Sequence, residues 1–173
     1  MVFENGRIRV FEDRVLQPDG SASTYTVVEE QAGAVVVVAV DQADQVVLLR
    51  QHRYPIDVVT LEVPGGEVPF GQDPLDQAQT ELRDETGVEA GRLEPLAWFA
   101  PWPARVRRWS LAVLATELDV SHLAIEGQGE DEAIHDVRLY SRAELVRLMA
   151  AGEIVDGNTL CSLGLYWAKF PGS

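Results

Sequence analysis

The sequence predicts a mixed α/β fold, in which β-strands are interleaved with two or three helices. Short apolar, β-branched runs recur along the chain, a capped amphipathic helix lies near its middle, and a second capped helix follows near its end. The chain has 173 residues, of which 46% are hydrophobic, a size that suits one domain with a modest extension. Strands and helices in this order are typical of helices packed on a mixed sheet.

The first thirty or so residues predict a small antiparallel β unit. Residues 7–15 alternate imperfectly between apolar and polar types, residues 17–20 have the turn sequence Gln-Pro-Asp-Gly, and residues 24–28 indicate a second strand. We therefore divide the chain into an N-terminal β extension, residues 1–31, and a main domain, residues 32–173.

The main domain begins with a strand at residues 34–40 that is apolar at every position. A run of this kind, β-branched and apolar on both faces, predicts a buried central strand. Residues 41–44 form a turn, so residues 45–51 are expected to be its hairpin partner. Further strands are predicted at residues 58–63, where Pro64-Gly65-Gly66 ends the strand, and at residues 93–99, 109–116 and 134–140.

Helix ends are clearly marked in two places. Asp73 suits the N-cap and Gly87 the C-terminal stop of a helix over residues 74–86, whose apolar residues recur at spacings of three and four. Ser141 begins a capping box for a second helix, and residues 159–170 form a last amphipathic segment. Each of these segments has one apolar face, which we expect to pack on the sheet.

The charge of the chain restricts its partners. Its 14 basic and 28 acidic residues give a net charge of −14, so a nucleic acid or an anionic membrane would be repelled. The apolar runs are too short to cross a bilayer, and the single cysteine, Cys161, forms neither a disulfide within the chain nor a Cys-rich zinc site. We expect a cytoplasmic protein that binds no nucleic acid and no membrane. An anionic ligand would need a positive group to bring it to this chain.

The helix over residues 74–86 carries three carboxylates in its last two turns. Glu81 and Glu85 are four residues apart and share a face, and Asp84 lies next to Glu85. Negative charge at this end opposes the helix dipole by about 0.3–1 kcal/mol per group, and the Glu81–Glu85 repulsion adds about 0.2–0.5 kcal/mol. A hard divalent cation such as Mg²⁺ would turn this penalty into a set of oxygen ligands. The alternative is a solvated acidic face in an acidic protein.

The segment around these carboxylates has an informative spacing. It reads Gly66-x5-Gln72-x7-Thr80-Glu81-Leu82-x-Asp84-Glu85-x-Gly87-Val88. This pattern resembles the Nudix box, Gly-x5-Glu-x7-Arg-Glu-apolar-x-Glu-Glu-x-Gly-apolar, with the same total spacing and in the same strand–loop–helix context. Three positions differ: Gln72 replaces a Glu, Thr80 replaces an Arg, and Asp84 replaces the first Glu of the pair.

The resemblance implies a fold and a metal site. The fold is the Nudix α/β/α sandwich with a mixed β-sheet. The metal is Mg²⁺, with Mn²⁺ as a possible substitute, held by Glu81, Glu85 and the backbone carbonyl of Gly65, with Asp84 as a shorter helper. In the family, the first Glu of the box and its Arg typically pair and orient the loop. Because both positions are neutral here, neither charge is left without its partner.

Segments outside the box resemble the ADP-ribose pyrophosphatase branch and its nucleoside-diphosphate-sugar relatives. Residues 46–54, 61–66 and 152–159 follow the branch in sequence and in order. By this resemblance, Arg53 and Glu62 lie near the substrate phosphates, although a salt bridge between adjacent strands is an equal alternative. The N-terminal β extension is commonly exchanged between subunits in this branch, so we expect a homodimer.

Two further segments supply candidate site residues. Residues 99–108 replace the Ser-Pro-Gly segment of the branch with a basic run, in which Arg105 would contact a phosphate or a sugar acid. The alternative for this run is a charged strand edge that deters aggregation. The acidic loop before residue 134 would supply the general base, with Glu132 as first choice and Glu130 as second. The alternative for that loop is a solvated acidic surface.

The resemblance implies an enzyme that cleaves the pyrophosphate of a nucleoside diphosphate linked to another small molecule. ADP-ribose or a similar nucleotide sugar is the expected substrate, and Mg²⁺ would let an acidic protein bind this polyanion. The replacements Gln72 and Thr80 leave an alternative open, a catalytically weak or inactive nucleotide-binding module with the Nudix fold. Isomerase chemistry on an isoprenoid diphosphate is disfavoured, because no catalytic cysteine accompanies the box.

Overall fold

A computed structural model describes residues 1–123 and 134–172. The strands are β1 (Phe3–Glu4), β2 (Ile8–Leu16), β3 (Ala22–Glu30), β4 (Gly33–Ala39), β5 (Gln45–Arg53), β6 (Val58–Glu62), β7 (Gly65–Val68), β8 (Glu89–Phe99), β9 (Val106–Arg107), β10 (Ser110–Asp119) and β11 (Ile134–Ser141). The helices are α1 (Pro74–Thr86), α2 (Arg142–Ala150) and α3 (Gly157–Lys169). In the described ranges, none of these helices has both the length and the apolar character needed to cross a bilayer.

The strands form three sheets. The N-terminal sheet has the order β1-β2-β3-β9, and the two sheets of the main domain have the orders β7-β4-β10-β8 and β11-β5-β6. Strand β10 runs parallel to β4 and antiparallel to β8, so the sheet that contains β4 is mixed. The mixed sheets and the antiparallel N-terminal strands confirm the predicted fold class.

Strand β4 joins the two apolar layers of the main domain. Val36 and Val38 point to a buried cluster that includes residues of α2 and α3. Val35 and Val37 point to a second cluster, which includes residues of α1. Because side chains alternate along a strand, a segment that is apolar at every position can bury both faces. The layers confirm the predicted buried central strand and the α/β/α sandwich.

The predicted hairpin between residues 34–40 and 45–51 is wrong. Strands β4 and β5 belong to different sheets, and among the described residues an isolated bridge between Val40 and Val46 is the only ladder contact that joins them. Strand β4 instead lies between β7 and β10, with six residue pairs to β10. An apolar strand gains most from neighbours on both edges, and the turn residue Asp44, at φ 58°, directs the chain to the second sheet.

The predicted strand end before Pro64-Gly65-Gly66 is confirmed, but a further strand that was not predicted begins at these glycines. Strand β6 stops at Glu62, but β7 begins at Gly65 and pairs with β4 through Gly65–Val36 and Gly66–Val35. A Cβ atom on Gly65 would lie 2.9 Å from the Cα of Val36, so only glycine lets the two backbones approach this closely. The glycines therefore begin a strand in the sheet that contains β4.

The helix ends agree with their sequence signals. Asp73 accepts a hydrogen bond from the Leu75 amide at 2.8 Å, and Gly87, at φ 71°, donates to the Arg83 carbonyl at 2.8 Å. The bounds of α1 are those predicted, residues 74–86. Ser141 accepts from the Glu144 amide at the start of α2. The last helix, α3, begins two residues before the predicted segment.

Candidate active site

A cavity of about 400 Å³ opens beside α1 and the start of β7. Its charged side chains are the carboxylates of Glu62, Glu67, Glu81 and Asp156 and the guanidinium groups of Arg7, Arg53 and Arg108. The volume lies in the range of small-molecule sites. Because carboxylates and guanidinium groups share one concave surface, the cavity suits an anionic ligand that binds together with a cation.

The carboxylate of Glu81 lies directly over the backbone of Gly66. A Cβ atom at position 66 would lie 2.7 Å from Glu81 Oε2, closer than real Cβ contacts allow. The amide of Gln77 donates a hydrogen bond to Glu81 Oε1 at 2.6 Å, across one helical turn. The glycine and the glutamate of the box are therefore coupled by sterics, and Gln77 orients the carboxylate.

Glu85 lies one turn further along α1 and is buried, with 5% of its surface exposed. Its Oε2 atom accepts a hydrogen bond from the Gly65 amide at 2.8 Å. Glu81 and Glu85 thus contact adjacent glycines at the start of β7. A buried carboxylate needs such partners, because burial without them would strongly disfavour its charged form.

Asp84 points away from these two carboxylates. Its side chain is 58% exposed and pairs with Arg83 at 3.0 Å. It is absent from the residues that line the cavity. The structure thus brings together Glu81, Glu85 and Gly65 of the predicted metal ligands and leaves Asp84 on the outer face of α1.

The residues present fit a divalent cation that is shared with a ligand. In the described ranges, no three His, Cys, Asp or Glu side chains gather closely enough to hold a metal ion by themselves. The donors at the start of β7 are instead two carboxylates and a backbone carbonyl, all hard oxygen ligands. Mg²⁺ commonly binds through one or two carboxylates and takes its other ligands from water and substrate phosphates. Glu81, Glu85 and the Gly65 carbonyl would hold it.

The two neutral positions of the box do not contact each other. Thr80 Oγ1 donates to the Asp76 carbonyl at 3.0 Å, and Gln72 is exposed in the loop before α1. Gln77, which sequence analysis did not select, forms the hydrogen bond that fixes Glu81. The signal that could have identified Gln77 is its spacing of four residues from Glu81.

Arg53 and Glu62 form a two-pronged ion pair at the cavity wall. Arg53 donates through Nε at 2.8 Å and through Nη2 at 2.6 Å to the two carboxylate oxygens of Glu62. Thr60 also donates to Glu62, which is only 4% exposed. The pair is thus the salt bridge between adjacent strands, and both residues also line the cavity.

The basic run contributes Arg108 to this cavity. Arg105 lines a neighbouring cavity, where its guanidinium lies 5.0 Å from the centre of the Tyr25 ring. Arg108 lines the active cavity together with Arg7, which precedes β2. Sequence analysis selected this segment but named a different arginine of it, Arg105. The predicted bases Glu130 and Glu132 lie outside the described residues.

Comparison with known proteins decides the family. A family model described as a NUDIX domain matches residues 30–161, which include the cavity's carboxylates and the whole of α1. The chain belongs to the NUDIX family. This match explains why the steric fit between Gly66 and Glu81 follows the box spacing, and it places the N-terminal strands before the matched region.

Relatives extend this assignment over most of the chain. An ADP-ribose pyrophosphatase from Bacillus subtilis (strain 168) is 29% identical over 158 residues, which cover 91% of this chain and 84% of that protein. A methanol dehydrogenase activator from Bacillus methanolicus is 28% identical over 162 residues, with coverage of 94% and 86%. A crystal structure of an ADP compounds hydrolase has a TM-score of 0.81 over 99% of this chain and 91% of that chain, at 20% identity, which supports the fold. The matches confirm the predicted branch and a Nudix hydrolase.

Proposed function

We propose that this Nudix hydrolase cleaves the pyrophosphate of a nucleoside diphosphate linked to another small molecule. ADP-ribose or a similar nucleotide sugar is the substrate that we expect, and Mg²⁺, or Mn²⁺ in its place, is the cofactor. The main support is the pair Glu81 and Glu85, which converge on Gly65 and Gly66 beside a cavity that also carries arginines. The pyrophosphatase among its relatives makes the same class of substrate the first to test.

Each side of the cavity has a role in this reaction. Glu81, Glu85 and the Gly65 carbonyl would hold Mg²⁺, which would neutralise phosphate charge and lower the pKa of a water molecule. Arg53 binds substrate phosphate, and Glu62 holds the guanidinium plane by two hydrogen bonds. Gln77 keeps Glu81 oriented before substrate arrives. Glu132, or Glu130 in its place, accepts the proton of the attacking water, a role assigned from the family resemblance.

The charges inside the cavity differ from the net charge of the whole molecule. A chain with a net charge of −14 repels a diphosphate at long range. Three arginines line the cavity, so a bound diphosphate meets positive groups at short range. We expect binding to become stronger with added Mg²⁺ or Mn²⁺, because the metal neutralises Glu81 and Glu85 as well as the phosphates.

The test is a substrate panel with purified protein. ADP-ribose, other nucleoside diphosphate sugars, dinucleotides and nucleoside triphosphates are incubated with Mg²⁺ or Mn²⁺, and phosphate is measured after a coupled phosphatase. We expect turnover of at least one nucleoside diphosphate sugar, and none after the metal is chelated. Tight binding of these compounds without turnover would instead support the binding module that Gln72 and Thr80 left open.

We also propose that the protein is a cytoplasmic homodimer in which the N-terminal β extension, residues 1–31, contributes to the interface. Trp98, Trp102 and Trp109 are each more than half exposed in the single chain, which is unusual for tryptophan. Analytical ultracentrifugation at micromolar concentration should give twice the 19.1 kDa of one chain. A species of 19.1 kDa alone would refute the dimer.

A further inference from the structure

Two arginines of the active cavity have hydrogen-bonding capacity that the protein does not use. Arg108 donates from Nη1 to Glu30 at 2.6 Å, but its Nε–H group is buried and, among the described residues, has no hydrogen-bond partner. Arg7 forms no ion pair within the described part of the chain. A buried donor without a partner costs free energy, so such a group on a binding surface indicates a partner that arrives with the ligand.

Arg108 is held in place before a ligand binds, whereas Arg7 is fixed at its backbone and has an exposed side chain. The Arg7 amide donates to Asn5 Oδ1 at 2.9 Å, and the Arg7 carbonyl accepts from the Gln31 amide at 3.1 Å. The Arg108 side chain is only 21% exposed and is fixed at one end by Glu30. Less conformational entropy is therefore lost when Arg108 binds an anion than when a free surface arginine does so.

Arg108 lines a second cavity as well as the active one. The second cavity, of about 310 Å³, is bounded by Thr60 and Asn158. Glu81 and Gly66 line the first cavity but not the second. Arg108 thus lies where the active cavity continues into its neighbour, as the Arg53–Glu62 pair also does, whereas Glu81 lines only the active cavity.

We propose that Arg7 and Arg108 form a second anion subsite, which selects substrates that carry a carboxylate or phosphate in addition to the diphosphate. The proposal rests on the proposed function, because it assumes that the diphosphate lies at Glu81, Glu85 and Arg53. A guanidinium group suits both anions, since its planar donors match a carboxylate or a phosphate in two-pronged geometry. The subsite would thus act on substrate choice rather than on bond cleavage.

The experiment uses pairs of compounds that differ in one anionic group. UDP-glucuronate and UDP-glucose differ in a carboxylate on the sugar, whereas ADP-ribose 2′-phosphate and ADP-ribose differ in a phosphate on the nucleoside. For each pair, kcat/KM is measured with Mg²⁺, and Kd is measured by calorimetry without metal. The two pairs distinguish a carboxylate on the linked molecule from a phosphate on the nucleoside.

The matched variants are Arg108→Gln and Arg107→Gln. Arg107 pairs with Glu29 at 2.8 Å, much as Arg108 pairs with Glu30, but it does not line the active cavity. Each variant therefore removes one charge and one ion pair from the same segment. Arg7→Gln is the second test variant, because Arg7 is exposed and its loss should not affect folding.

We expect the wild-type protein to prefer the charged member of at least one pair by about tenfold or more, as one charge-assisted hydrogen bond would give. Arg108→Gln and Arg7→Gln should each reduce this preference several-fold, while Arg107→Gln should retain it. If the wild type does not discriminate between the members of either pair, the subsite is overturned. The same holds if Arg107→Gln loses as much of the preference as Arg108→Gln. Preference in metal-free binding without any turnover would retain the subsite but refute the proposed hydrolysis.

Discussion

The cavity has two walls that are built in different ways. The acidic wall is formed by Glu81 and the glycines at positions 65 and 66, with the buried Glu85 hydrogen-bonded to Gly65. It comes from one stretch of 21 residues and is set by the spacing of one helix against one strand. The basic wall, Arg7 and Arg108, comes from segments 101 residues apart, brought together by the pairing of β3 with β9 in the N-terminal sheet.

This difference indicates separate roles for the two walls. The acidic wall is rigid, because a side chain at Gly66 would collide with Glu81 and the Gly65 amide is bound to Glu85. It supplies oxygen ligands for the proposed metal ion, which the cleavage of any substrate would need. The basic wall depends on how the N-terminal sheet packs. We therefore propose that the acidic wall acts in catalysis and the basic wall in substrate choice.

The largest expected effect is on the acidic wall. Glu85→Gln should lower metal-dependent kcat/KM by about 100-fold or more, because it removes a proposed ligand of the metal that would act on developing charge. The glutamine can still accept the Gly65 hydrogen bond, and lost repulsion with Glu81 should stabilise the metal-free protein by about 0.2–0.5 kcal/mol. Steady-state kinetics and urea unfolding measure the two effects. Wild-type activity in Glu85→Gln would refute the site, and Glu89→Gln, an exposed residue after the helix, is the control.

A smaller effect is expected where α3 supports the acidic wall. Thr159 is fully buried, and its hydroxyl accepts a hydrogen bond from the Val63 amide at 3.1 Å, just before the glycines. Thr159→Val keeps the shape but leaves that amide without a partner, which should cost about 1–3 kcal/mol of the free energy of unfolding. Urea denaturation measures the loss. Thr159→Ser should recover most of it, and equal losses in both variants would show that packing, rather than the hydroxyl, matters.

The smallest of these effects concerns orientation within the acidic wall. Gln77→Ala removes the hydrogen bond to Glu81 and should lower kcat about tenfold, the lower end of losses seen when the partner of a metal ligand is removed. KM should change less, because Glu81 remains in the site. Gln72→Ala, an exposed residue of the same box segment, is the matched control for kinetics. If both variants behave alike, Gln77 does not position Glu81.

The same two walls also show what the sequence could predict. The bounds of α1 and the contact between its carboxylates and the glycines depend on local spacing and capping, which the sequence carries directly. The strand contacts were harder: the hairpin of residues 34–40 was wrong, and β7 and β9 were not predicted. Pairing between strands is set by distant residues that a single sequence does not identify.

The arginines illustrate the same limit at the level of one side chain. The basic run at residues 105–108 predicted a cation near the substrate, and we selected Arg105 as the residue that contacts it. Which arginine enters the cavity depends on the short strand β9, whose pairing with β3 places Arg105 beside Tyr25 and leaves Arg108 to line the cavity. No local signal in the run distinguishes the two. The sequence likewise carried no signal for the proposed role of Arg7, because Arg7 lies about one hundred residues before Arg108 in the chain.

The central claim is that Glu81 and Glu85 bind the divalent cation that drives hydrolysis, and Mn²⁺ binding followed by electron paramagnetic resonance tests it most directly. The double variant Glu81→Gln/Glu85→Gln is compared with Asp76→Asn/Glu89→Gln, which removes two exposed carboxylates near the same helix. We predict that the wild type and the control pair deplete the free Mn²⁺ signal in the presence of ADP-ribose, whereas the first variant does not. Equal depletion by both double variants would contradict the account, because metal binding would then reflect general negative charge rather than the acidic wall.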